Sequence, residues 1–114
     1  MTNYLEKYKK LCAELTDATN KEEVKQHNKA MKKLAKLFYE VEKQEDKSFF
    51  MELLEDENPR TNTLVAAHCL GLGVYEKEAK SILKRNSKIK DNPTVAFNAE
   101  TTLEVYRNQG YLKF

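Results

Sequence analysis

From Val24 to Val41 the apolar residues Val24, His27, Met31, Leu34, Phe38 and Val41 recur at intervals of three and four. That spacing places all six on one stripe of an α-helix and cannot alternate faces on a strand. The stripe is narrow, suited to packing along a neighbouring helix, and a free coiled coil is the competing reading. It runs for fewer heptads than such an assembly sustains, which favours packing within a domain.

The same period recurs on both sides. Tyr4, Tyr8, Leu11 and Leu15, widened by Leu5 and Cys12, predict a first helix over about 3–17, with Asn3 capping and Glu6 three residues on. Thr19 followed by Glu22 predicts the cap of the second. After the polar break Gln44-Glu45-Asp46-Lys47, Phe49, Phe50, Leu53 and Leu54 form a short third helix ending before Pro59. Asn58-Pro59 opens a fourth, through Leu64, Val65, Ala67, Cys69 and Leu70, with Gly71 and Gly73 closing it. A fifth, about 75–88, turns Tyr75, Ala79, Ile82 and Leu83 inward. Asn92-Pro93 opens a sixth, with Val95, Ala99, Leu103 and Tyr106 inward and Gly110 at its stop.

The fold expected is therefore all-α. About six helices form antiparallel hairpins, roughly 3–45, 47–72 and 75–109, in a single domain over 1–114. Only three Gly, two Pro and no Trp in 114 residues agree with it, since an all-β domain needs more turn-formers. The Asn-Pro openers at 58 and 92 are one helix-turn-helix unit apart, which suggests stacked hairpins.

No chemistry-bearing constellation emerges. His68-Cys69 is the tempting pair, but neighbours on a helix point about 100° apart and do not face each other as a nucleophile and its base must. Cys12 and Cys69 read as small buried hydrophobes, and His27 as a core histidine bonded to a carbonyl. Gly71-Leu72-Gly73 lacks the Lys-Ser/Thr of a phosphate loop. No metal, cofactor or enzymatic activity is expected. The N-terminus has no signal-like apolar core and no stretch is long enough to span a bilayer, so a cytoplasmic protein without membrane contact is expected.

Charge is more informative by segment than in total. The net charge of +2 divides into +4 over 1–39, −6 over 40–57 and +4 over 58–114. Lys25, Lys29, Lys32 and Lys36 form a basic stripe on the second helix, but the scarcity of Arg and the absence of interleaved aromatics make nucleic acid the weaker partner. The acidic block contains the candidate partner-binding residues Glu42, Glu45, Asp46, Glu52, Glu55, Asp56 and Glu57, with Tyr39 as an apolar anchor and Phe49 or Phe50 as alternatives. Such a block can steer a basic partner into place. The competing reading is that the Phe pair is core and the acids only keep the turn soluble.

Leu53-Leu54-Glu55-Asp56-Glu57-Asn58-Pro59, then Leu64-Val65-Ala66-Ala67, and the run through Ala79, Ile82 and Leu83 to Pro93, Ala99, Leu103 and Gly110 resemble a small bacterial family of unassigned function built as a HEAT-like helical stack. The resemblance spans about 4–112. It implies a short right-handed stack and a non-enzymatic role. The chain departs from the HEAT pattern at Asn62-Thr63, where a Val-Arg pair would precede the double alanine. A looser similarity, in size, composition and the acidic segment, is to the cytosolic immunity proteins of bacterial polymorphic and contact-dependent toxin systems. It implies a protein partner, a basic toxin domain such as a nuclease, bound and neutralised. An adaptor or scaffold for another protein is the alternative, and a nucleic-acid-binding protein using the Lys stripe the third.

Overall fold

Asparagine starts four of the six helices. A computed structural model describes residues 3–15 and 20–110, and in it Asn3, Asn20, Asn58 and Asn92 each accept, through the side-chain oxygen, a first-turn backbone N–H: those of Glu6, Glu23, Arg60 and Val95. The short amide satisfies a donor that the helix itself leaves orphaned. The helices are α1 (Tyr4–Ala13), α2 (Lys21–Glu42), α3 (Phe49–Leu54), α4 (Pro59–Leu72), α5 (Glu76–Asn86) and α6 (Pro93–Gln109), with no strand among the described residues. The cap expected at Thr19 lies outside the described residues. Asn20 caps α2 instead, and its amide also donates to the Glu23 carboxylate at 3.1 Å.

Stops are set by glycine where the backbone turns left-handed. Gly73 closes α4 at φ 71°, with the Val74 N–H donating to the Cys69 carbonyl and the Gly73 N–H to that of Leu70. This is the paired arrangement that a left-handed residue makes possible. Gly71 does not close the helix as expected but lies inside it, because, of these two glycines, it is Gly73 that takes the left-handed conformation. Gly110 closes α6 at φ 79°.

The six helices pack into a compact globule around α4. Its residues Thr61–Thr63 and Val65–Leu70 are buried, and it contacts α1, α3, α5 and α6. A helix surrounded this way must satisfy its polar groups internally. Asn62 donates to the Asp56 carbonyl at 2.9 Å and accepts from Asn86 of α5, which also donates to the Thr63 hydroxyl at 2.7 Å. The Tyr8 hydroxyl and His68 Nδ1 share a buried hydrogen bond of 2.8 Å. Around them Phe50 meets Tyr8 edge-on at 5.4 Å and Phe38 meets His68 at 5.1 Å, so aromatic edges join α1, α2, α3 and α4.

The long stripe of α2 is covered over only part of its length. Ala30, Leu34, Leu37, Phe38 and Val41 are buried, whereas Val24 and Met31 are exposed. The reason is geometric: α1 has 10 residues against 22 in α2, about 15 Å against 33 Å. A Lys7–Glu40 ion pair at 3.9 Å places α1 beside the C-terminal half of α2.

Candidate functional site

The acidic segment runs from the last turn of α2 through the connection to α3 and on to α4. Glu42 ends α2, Glu45 and Asp46 lie in the connection, Glu52 is on α3, and Glu55, Asp56 and Glu57 lead to the cap of α4. All are exposed except Asp56, which is half-buried.

Two of the seven acids have local structural duties. One Asp46 oxygen accepts from the Ser48 N–H at 2.9 Å and the Ser48 hydroxyl at 2.7 Å, and these bonds hold its carboxyl below the usual range. Asp56 accepts from the Asn58 N–H at 2.8 Å and so shapes the turn into α4. Glu42, Glu45, Glu52, Glu55 and Glu57 remain as exposed charges, and like charges spaced along one turn raise the local negative field.

Of the three aromatic anchors considered, Tyr39 alone is open to solvent. Its side is 50% exposed, with the ring edge-on to Phe38 at 5.4 Å. Phe50 is fully buried, and Phe49 stacks on Tyr4 at 5.6 Å and on Tyr8 at 6.2 Å. The Phe pair thus belongs to the core, fastening α3 to α1. On α2, Tyr39 and Glu42 are three residues apart and share one edge of the helix.

His68 and Cys69 take structural places. Burial pushes the His68 imidazole down to about 3, so the ring is neutral, and its Nδ1 is engaged by Tyr8. Burial, reinforced by the negative charge of Glu78, pushes the Cys69 thiol up to about 12. Cys12 is likewise pushed up to about 12 by burial, against a hydrogen bond with Thr61 that lowers it. Thiols held this far into the protonated form are poor nucleophiles at neutral pH. Among the described residues no group of three or more His, Cys, Asp or Glu is placed to hold a metal ion, and no helix is long and apolar enough to cross a membrane.

Two features depart from the sequence pattern. His27 was expected to bond a carbonyl, yet its buried Nδ1 has no hydrogen-bond partner among the described residues. Phe97 is a large exposed aromatic that the apolar face of α6 leaves outside: it lies two residues from Val95, on the far side of the helix. No protein-family model, curated protein or solved structure matches this chain.

Proposed function

We propose that this protein is a non-enzymatic, cytoplasmic helical binding module that neutralises a basic toxin domain, in the manner of an immunity protein. Its binding surface is the acidic turn from Tyr39 to Glu57. The observation that carries the reading is the pairing of five exposed, unburdened glutamates with an open tyrosine on the same stretch of chain. Tyrosine supplies contact area at low entropic cost, and surrounding acids select a cationic partner and speed its approach. A nuclease domain is the partner class that fits, because a protein that binds phosphates presents a basic surface.

In this proposal the helices stack as antiparallel hairpins in a HEAT-like arrangement. The Asn-Pro openers of α4 and α6 favour that stack, and with it the second reading, an adaptor for another protein partner.

The test is a pull-down from the native host, comparing the wild-type protein with a Glu52→Lys/Glu55→Lys/Glu57→Lys variant. The proposal expects a basic protein retained by the first and lost by the second, whose expression is toxic unless the wild-type chain is co-expressed. Identical retention by both overturns the acidic surface. A retained partner that is not toxic assigns the adaptor reading instead.

A further inference from the structure

From Val24 to Tyr39, α2 holds five lysines and no acid. Four of them, Lys25, Lys29, Lys32 and Lys36, are exposed and recur at intervals of four, three and four, which sets them in one narrow arc of the helix. The fifth, Lys33, lies at its margin. The buried residues Ala30, Leu34, Leu37, Phe38 and Val41 occupy the opposite side, so the arc points away from the rest of the globule. From Lys25 to Lys36 it is about 16 Å long, at a rise of about 1.5 Å per residue. None of the four ammonium groups is paired among the described residues.

The nearest acids lie at the two ends of the helix. Glu22 and Glu23 precede the face, and Glu23 accepts from the Asn20 amide. Glu40 and Glu42 follow it, and Glu40 pairs with Lys7 of α1. α1 and its cap bring Lys7, Lys9 and Lys10 against Glu6 and Glu14. The field outside the face is therefore positive, in a protein whose net charge is only +2.

The chemistry of the face selects its anionic partner. Protein interfaces are built around apolar anchors and are depleted of lysine. An anionic bilayer holds a helix by buried apolar side chains as well as by charge. Besides its lysines this arc carries only Asn28, which serves neither. A phosphodiester backbone asks for charge alone, and lysine meets it as a point charge. The scarcity of Arg and aromatics weighs against reading base edges and against stacking the bases of an unpaired strand, but not against the backbone of a duplex. B-form DNA also fits the shape: its major groove, about 12 Å wide, admits a helix about 10–12 Å across, whereas that of A-form RNA is too narrow.

We infer that the outer face of α2 binds the phosphate backbone of double-stranded DNA without regard to sequence, with Lys25, Lys29, Lys32 and Lys36 as the contacting charges. The face is separate from the acidic turn, and DNA binding here does not depend on the toxin-binding reading.

The experiment is an anisotropy titration of the whole protein against two labelled DNA duplexes of roughly 20 base pairs and unrelated sequence, over a range of salt. Both should bind alike, and four phosphate contacts should cost on the order of 100-fold in affinity between about 50 and 200 mM salt. Lys25→Gln/Lys32→Gln should weaken binding to both duplexes equally and lower the slope of log K against log salt by about 2. Lys84→Gln/Lys88→Gln removes the same charge from exposed positions at the end of α5 and just beyond it, and should leave that slope unchanged. Circular dichroism melting reports whether each variant keeps its fold. No binding at the lowest salt, a preference for one sequence, or equal losses from the two lysine pairs overturns DNA binding by this face. Tighter binding to duplex RNA, to single-stranded DNA or to phosphatidylserine vesicles overturns it also.

Discussion

The Tyr8 hydroxyl and the His68 Nδ1 lie 2.8 Å apart in the core and tie α1 to the central helix α4. Burial raises the Tyr8 phenol, with further raising by the neighbouring Cys69 and Cys12, and lowers the His68 imidazole, so the pair is neutral. A neutral pair costs less to bury than an ionic one, but removing either partner strips the other of a buried hydrogen bond. Tyr8→Phe should therefore cost about 1–3 kcal/mol, seen as a fall in Tm of roughly 4 °C or more. Tyr8→Phe/His68→Leu should cost less than the sum of its single substitutions. Additive losses in denaturant titrations would show that the bond carries no coupling.

Acid should destabilise the protein through His68. Its folded value is about 3 against an ordinary 6.5, so between these limits the unfolded chain takes up a proton that the folded chain refuses. Stability is then full above about 6.5 and falls as pH drops toward 3, by up to about 1.4 kcal/mol per pH unit. The depressed Asp46 carboxyl acts lower: its contribution holds above its unfolded value of 3.8 and is lost as pH falls through its folded value. Urea unfolding between about pH 4.5 and 7 isolates the histidine. The slope should be present in the wild type and reduced in Tyr8→Phe/His68→Leu. An unchanged slope in that variant would sink the assignment.

Cys12 and Cys69 should be inert until the fold opens. Both are buried with thiols raised to about 12, and neither forms a disulfide. Iodoacetamide at mildly alkaline pH should modify both at least ~100-fold faster in denaturant than in the native state, where the reaction waits on local opening. Rapid native labelling of either would place that thiol at an accessible site.

Helix ends were the most legible part of the chain, because caps are written locally. Asn3, Asn58-Pro59, Asn92-Pro93 and Gly110 each mark an end within a few residues. Coverage of a face was not legible, since the period of Val24, His27, Met31 and Leu34 says which side is apolar and nothing about where α1 stops. That is how a stripe that is core over its C-terminal half leaves Val24 and Met31 exposed. The acidic block is visible as charge, but the bonds of Asp46 to Ser48 and of Asp56 to Asn58 depend on how the two turns fold. Tyr8–His68 and Asn62–Asn86 are 60 and 24 residues apart, and no local pattern pairs them.

Asn86 should prove the most sensitive surface-to-core position of α5. It is fully buried, its amide donates to Asn62 and Thr63 of α4, and its oxygen accepts from the Arg85 Nε at 3.3 Å. Asn86→Ala removes the donor and leaves two buried acceptors on α4 unmet, a loss of about 2–4 kcal/mol. Asn86→Asp keeps the shape but puts an acceptor, charged at neutral pH, where the donor was. It should cost more than alanine there, because Asn62 and Thr63 then meet a buried negative charge. A protonated carboxyl regains one donor, so the gap between the Asp and Ala variants should narrow as pH is lowered. Comparing the two variants at each pH cancels the His68 contribution, which both retain. Equal stabilities of the Asp and Ala variants at neutral pH would show that the Asn86 amide is not what joins α5 to α4.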